Sequence, residues 1–227
     1  MTKKLFGVAM ISALLTLESC SLLSQTSPAD KRTLKSFATN QLFATTPPDA
    51  VVSEGYSLGR TRDFPNGHIG GYTKKSYLTP KTPALALDEL LQSVVQAGWT
   101  LEIVTCFPPY AYQPATVSLT AVMNFDGTLY RISSGVQPMN ELAASLIRIA
   151  KPTLSESAIQ AFNSDVSVEA ILNSDSPIAI PTSVRVECNV YDLSDQHYRQ
   201  VTGYAGPINR QPAPYIDDPV RTTTTPV

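Results

Sequence analysis

The chain has 227 residues, of which 43% are hydrophobic and 16% charged, and its formal net charge is -2. This apolar content and small net charge exclude a fully disordered chain, and the lack of a basic excess argues against wholesale nucleic-acid binding. The length suits one domain, or two small ones, with enough residues for a substantial hydrophobic core.

The first 19 residues have the features of an export signal. Lys3 and Lys4 precede an apolar run over residues 5–17. At about 1.5 Å per residue this run reaches roughly 20 Å, which is short of the ~30 Å hydrocarbon core of a bilayer. The length therefore favours a signal peptide over a permanent span, and we expect residues 1–19 to be removed.

The apolar run ends in Leu17-Glu18-Ser19-Cys20. This segment resembles the lipobox of bacterial lipoproteins, in which a Leu at -3 and a small residue at -1 precede the Cys that becomes N-terminal. The resemblance implies cleavage before Cys20, attachment of a diacylglycerol to its thiol and acylation of the new amine. Because Ser21 follows, it also implies the outer membrane in a double-membrane bacterium, and otherwise the outer face of the cytoplasmic membrane. The alternatives are an ordinary secretory signal or a short buried helix.

Three regions are expected after the signal peptide. Residues 20–50 are rich in Ser, Thr, Ala and Pro and show little apolar periodicity, so they are predicted to hold the lipid anchor and a flexible tether. Residues 206–227 are predicted to form a disordered Thr/Pro-rich tail because they offer little surface to bury. The ordered domain is expected over residues 51–205.

Within that domain the apolar spacing alternates between the periods of helices and strands. Residues 51–83 have low periodicity and are predicted to be mobile or loosely attached, with a turn at Asn66-Gly67. Short connections between strands favour an α+β fold, in which a mostly antiparallel sheet of about five strands carries helices on one face. The predicted elements are a helix over 84–97, strands over 99–106, 116–125 and 128–133, helices over 139–150, 155–162 and 166–173, and strands over 184–190 and 197–204.

The three cysteines are Cys20, Cys106 and Cys188. If Cys20 carries lipid, the other two remain as a pair in an oxidising compartment, which predicts one disulfide. Closing a loop of about 80 residues would stabilise the fold by roughly 4–5 kcal/mol in the chain-entropy model. The alternatives are two free buried thiols, or a reactive thiol beside His68 or His197, although neither Cys lies in a recognisable redox or protease motif.

A basic segment at residues 56–81 contains five Lys or Arg residues against Asp63 alone. This segment predicts a binding patch for anionic lipid head groups or an anionic envelope polymer. The alternative is an ordinary solvated loop. The residues of the predicted patch are Arg60, Arg62, Lys74, Lys75 and the interleaved Tyr72.

No catalytic motif is present, because the chain lacks a Gly-x-Ser-x-Gly elbow, a P-loop ending and a His-Glu-x-x-His pair. No catalytic residue, metal ligand or cofactor is therefore assigned. Glu102 and Glu187 are expected on the polar face of the sheet rather than as a catalytic pair.

The leading functional hypothesis is a lipid-anchored envelope protein with a non-catalytic binding or scaffolding role. It would attach to the membrane through its lipid and bind an envelope protein or an anionic polymer, but not nucleic acid. A second hypothesis is a small-ligand site beneath the loop 107–115. A third is a metal- or His-assisted hydrolase that uses Asp192, Asp195 and His197, which lie within six residues of one another.

Overall fold

A computed structural model describes residues 28–62, 69–109, 115–125, 127–171, 178–188 and 193–212. Helices and strands are interspersed along the chain. In chain order they are α1 (Pro28–Phe37), α2 (Gln41–Ala44), β1 (Val51–Arg62), β2 (Ile69–Thr79), α3 (Pro83–Gln96), β3 (Thr100–Phe107), β4 (Thr116–Phe125), β5 (Thr128–Pro138), α4 (Glu141–Ala150), α5 (Glu156–Gln160), β6 (Ser164–Ile171), β7 (Val184–Glu187), α6 (Asp195–Thr202) and β8 (Ile208–Arg210).

The described strands form one sheet in the order β1-β2-β6-β5-β4-β3-β7-β8. Strands β1 to β6 pair antiparallel, whereas β7 joins β3 in parallel and β8 joins β7 in parallel. The fold is thus α+β, as predicted. The sheet is mixed and has eight strands, so the expectation of about five antiparallel strands underestimates its size.

Four helices, α1, α2, α3 and α6, cover one face of the sheet, which we call the core face. Helix α3 begins at Pro83, which suits the first turn, and ends before Gly98, whose φ of 87° favours glycine. Its apolar residues recur at helical spacing and pack on strand residues that alternate with period two. The buried residues of α3 are Ala86, Leu87, Leu90, Leu91 and Val94.

The opposite face of the sheet is mostly polar but holds a second, smaller core at one corner. Leu78 points away from its neighbour Tyr77 and packs against Ala144 and Ile147 of α4 and Ile159 of α5. Helices therefore lie on both faces, and the prediction that they cover one face is wrong. Among the residues described, no helix combines the length and apolar character needed to cross a bilayer.

Two elements have the opposite type from the prediction. Residues 166–173 were expected to be helical, yet Val166, Val168 and Ala170 are buried at period two in β6, between β2 and β5. The two β-branched residues in this alternation favour a strand.

Residues 197–204 were expected to form a strand, yet they lie mainly in α6. The hydroxyl of Ser194 accepts a hydrogen bond from the backbone N–H of His197, which caps the helix. Gly203, with a φ of 69°, ends it. Both signals are local, and they outweigh the apparent alternation.

Residues 28–50 belong to the folded domain, contrary to the expected flexible tether over 20–50. Phe37 is 0% exposed, and Leu42 and Phe43 are also buried. Likewise, residues 51–83 were expected to be mobile, but they supply β1 and the interior strand β2. The predicted turn at Asn66-Gly67 lies outside the described residues.

The first part of the expected disordered tail over 206–227 is folded. Ile208 to Arg210 form β8, and the backbone N–H of Gln211 donates to the carbonyl of Val186. Parallel pairing with β7 satisfies the backbone groups of this short strand, so it needs little apolar surface of its own. Residues 213–227 lie outside the described part.

We predict that Phe37→Ala lowers the free energy of unfolding by about 3–5 kcal/mol, because it empties a fully buried aromatic site. Chemical denaturation measures the loss. Lys35→Ala, an exposed change in the same helix, should stay within about 0.5 kcal/mol of the wild type. Equal stability of the Phe37 variant and the wild type would show that α1 is not part of the core.

Candidate functional site

A groove between α3 and α6 is lined mainly by polar side chains, and we call it the α3–α6 groove. Its volume is about 430 Å³, within the range of small-ligand sites. The lining residues are Lys81, Leu85, Asp88, Glu89, Gln92, His197, Gln200 and Val201.

A His–Asp pair joins the two walls of the groove. Nε2 of His197 lies 2.9 Å from Oδ1 and 3.1 Å from Oδ2 of Asp88. Since a carboxylate only accepts hydrogen bonds, this geometry places a proton on Nε2 of the ring. Both side chains are about one-third exposed, at 34% and 28%, so a ligand can reach them.

Carboxylates outnumber cations around the groove. Nζ of Lys81 donates to Oε1 of Glu89 and lies 3.6 Å from Oδ2 of Asp49. The hydrogen bond to Glu89 raises the pKa of Lys81, so this lysine stays charged. Burial, together with the charges of Glu89 and Asp49, also raises the pKa of the nearby Tyr77. Three carboxylates thus face one permanent cation and one histidine.

The lining of the groove provides no hydroxyl or thiol nucleophile. A His–Asp pair can act as a general base, but none of the lining residues is a Ser, Thr or Cys that it could activate. Within the described parts of the chain, no group of three or more His, Cys, Asp or Glu side chains is arranged to hold a metal ion.

The residues of the predicted hydrolase are separated. Asp195 Oδ1 binds Arg210 at 2.7 Å, while His197 turns to Asp88. Residues two apart on a helix point in different directions, which separates Asp195 from His197. Asp192 lies outside the described residues.

Asp88 was missed by sequence reasoning because its partner is far away in the chain. It is separated from His197 by 109 positions, and no local motif marks either residue. The small-ligand site predicted beneath the loop 107–115 cannot be compared directly, since residues 110–114 lie outside the described residues. Phe107 ends β3 and is partly exposed.

The predicted basic patch is divided by the sheet. Lys75 is 4% exposed on the core face, where its Nζ donates to the carbonyl of Thr45 and burial lowers its pKa. Lys74 points to the opposite face and pairs in register with Ser57 and Glu169. Adjacent residues of a strand face opposite sides, so Lys75 does not belong to the patch.

The other members of the predicted patch lie toward the C-terminal end of β1 and the N-terminal end of β2. Arg60 is in register with Gly71, Arg62 with Ile69, and Tyr72 with Gly59. The structure thus brings the two arginines and Tyr72 to one end of the sheet by backbone pairing.

Charged groups on the polar face of the sheet pair with one another. Glu102 accepts two hydrogen bonds from Arg131, at 2.8 and 2.9 Å, and Glu187 lies 2.7 Å from Arg185. The bidentate contact with Arg131 and the close contact with Arg185 hold these carboxylates in fixed orientations. Glu102 and Glu187 are therefore structural here, which agrees with their expected place on the polar face.

The other two cysteines lie close to each other where the parallel strands β3 and β7 are neighbours. Cys106, in β3, and Cys188, directly after β7, form a disulfide with a Cα–Cα distance of 4.5 Å and a sequence separation of 82. Because both sulfurs are in the bond, neither is available as a nucleophile. His68, the other expected partner of a reactive thiol, lies outside the described residues.

Comparison with known proteins gives no significant match to a family model, a curated protein or a solved structure.

We predict that Asp165→Asn stabilises the protein at pH 7. Burial, only partly offset by Gln137 and Lys74, raises the pKa of this carboxyl. The folded state then binds more protons than the unfolded state, so wild-type stability falls as pH rises from the ordinary pKa of about 4 through the raised pKa. Asparagine removes that cost and can still accept the hydrogen bond from Gln137.

Urea denaturation at pH 7 and at about pH 3 measures this effect. The gain should disappear at the lower pH, where the wild-type carboxyl is protonated in both states. Asp195→Asn is the matched control and should not stabilise, since it removes an exposed ion pair with Arg210. A stability difference for Asp165→Asn that does not change with pH would contradict the assignment.

Proposed function

We propose that the protein is an exported lipoprotein, anchored to a membrane of the cell envelope through Cys20, whose domain binds a partner rather than catalysing a reaction. The arrangement of the three cysteines carries this proposal. Cys106 and Cys188 are paired in the core strands, which leaves Cys20, in its lipobox-like segment, as the one cysteine outside the disulfide. Structural disulfides persist in oxidising compartments, so the pairing supports export.

The fold also supports a binding role. The His–Asp pair of the α3–α6 groove has no nucleophile beside it, and the strand carboxylates are paired with arginines. The partner class we propose is an envelope protein or an anionic polymer. The Ser that follows Cys20 supports placement in the outer membrane where two membranes exist.

We predict that the full chain, expressed in a double-membrane bacterium and recovered from its membranes, begins with an acylated Cys20. Non-reducing peptide mass spectrometry should also find the peptides of Cys106 and Cys188 linked. Cys20→Ser should abolish acylation and shift the protein out of the detergent phase, because the lipid supplies the membrane affinity.

The matched control is the double variant Cys106→Ser/Cys188→Ser. It should lose stability but remain acylated, which separates processing from folding. Recovery of the wild type with Met1 retained and both thiols free would overturn export and anchoring together.

A second candidate function is small-ligand binding in the α3–α6 groove. The excess of carboxylates there favours a ligand with an amino or guanidinium group, while Gln92 and Gln200 offer amide hydrogen bonds and Leu85 and Val201 offer apolar contacts. A cation near Asp88 would take the place of the His197 side chain or extend the ion pair.

We predict that a thermal-shift screen of primary amines and guanidines finds a ligand that raises the melting temperature, since a ligand at 100 times its Kd stabilises by about 2.7 kcal/mol. Asp88→Asn should remove the shift. Asp195→Asn, which also neutralises an aspartate paired with a base but lies outside the groove, should keep it. Equal loss in both variants would contradict a site in the groove.

A further inference from the structure

The position of α1 limits how far the domain can lie from a lipid anchor. Helix α1 begins at Pro28 and ends at the buried Phe37. Between Cys20 and Pro28 there are eight peptide steps, which span at most about 28 Å when fully extended, whatever conformation they adopt. The expected tether of roughly thirty residues would have reached several times further. The first turn of α1 therefore stays within about 28 Å of the acylated residue.

The direction of α1 places its N-terminal part toward β1 and β2. Phe37 contacts Tyr130 of β5 and Phe125 of β4, with ring centroids 5.1 and 5.5 Å apart. The helix also packs against β2, which lies on the far side of β6 from β5. The residues before Phe37 therefore lead back across the sheet toward the β1–β2 edge.

The same end of the sheet carries basic residues. The paired stretches 57–62 and 69–74 contain no acidic residue and carry Arg60 and Arg62, together with Lys74, which points to the face away from α1. On α1, Arg32 and Lys35 are exposed to solvent. Two neighbouring elements thus add cations to the end of the domain from which the chain leads to Cys20.

We propose that this end, formed by α1 and by the paired stretches 57–62 and 69–74, is a membrane-facing surface that binds anionic lipid head groups. The proposal rests on the proposed anchoring through Cys20. The short connection keeps this surface near the bilayer, and its charge matches the surface of a membrane that contains anionic lipids. A basic residue near such a surface strengthens binding by roughly five-fold.

The test measures binding to vesicles without the anchor. The chain from residue 20 onward with Cys20→Ser retains every described element and is mixed with vesicles of phosphatidylcholine, with or without about one-third phosphatidylglycerol. Sedimentation should show binding only to the vesicles that contain phosphatidylglycerol, and this binding should weaken as salt rises.

Arg32→Gln/Lys35→Gln should weaken that binding by about ten-fold or more. Lys151→Glu is the matched control, because it lowers the net charge by the same two units at an exposed site after α4. It should change binding by less than about two-fold. Circular dichroism of both variants checks that the fold is retained.

Three results would overturn the proposal: no preference for phosphatidylglycerol, equal weakening in the two charge variants, or retention by a soluble polyanion such as dextran sulfate without binding to vesicles. The last would favour an anionic polymer. The proposed anchoring through Cys20 and the proposed membrane-facing surface can be contradicted independently of each other. Acylation of Cys20 is read by mass spectrometry, so an acylated protein whose unanchored form ignores anionic vesicles loses only the membrane-facing surface.

Discussion

The burial of Phe37 attaches α1 to the main core, and the N-terminal boundary of the folded domain depends on this contact. Its ring lies within 5.1 to 6.3 Å of the rings of four other aromatic residues. Such pairs contribute about 0.5–1.5 kcal/mol each beyond area burial. A helix of ten residues is marginal in water by itself, so α1 depends on this contact. The aromatic residues around Phe37 are Phe43, Trp99, Phe125 and Tyr130.

Elements with strong local patterns are predictable from the sequence. Helix α3 combines helical spacing with Pro83 at its start and Gly98 after its end, and β4 and β5 alternate on both sides of a tight turn at Gly127. Helix α1 has no such pattern, because it is mostly polar and charged and its decisive residue binds aromatic rings far along the chain. Only the assembled core shows that Phe37 is buried.

The type of β6 and of α6 was wrongly predicted for a different reason. In β6 the spacing of Val166 and Ala170 fits one face of a helix as well as one face of a strand, and the presence of β2 on one side and β5 on the other decides the matter. In α6 the capping residues Ser194 and Gly203 outweigh the apparent alternation of residues 197–204. The strand β8 depends on β7, since three residues carry no period of their own.

The candidate sites are likewise predictable from the sequence only where a local pattern or a simple count identifies their residues. Two cysteines outside the lipobox-like segment allow one pairing, so the disulfide is predictable by counting, and the strands β3 and β7, in or beside which they lie, are neighbours in the sheet. The contact between Asp88 and His197 depends on how α6 packs on α3, which no local pattern encodes. For Lys75, in contrast, a local pattern leads to a wrong prediction. It lies next to Lys74 in a basic run, and the run itself does not reveal which of the two lysines faces the core.

The proposed lipid anchor would change what the proposed membrane-facing surface contributes. Two or more acyl chains hold a protein firmly without help from charge. Cations worth about 1 kcal/mol each are then not needed for attachment, and their effect is on orientation. At physiological ionic strength the screening length is near 8 Å, which is short compared with the ~28 Å reach of the connecting segment. Added salt shortens the screening length further and so weakens the attraction between the cations and the head groups. The domain is therefore expected to remain attached at high salt but to rotate away from the head groups. Salt would thus separate attachment by lipid from orientation by charge.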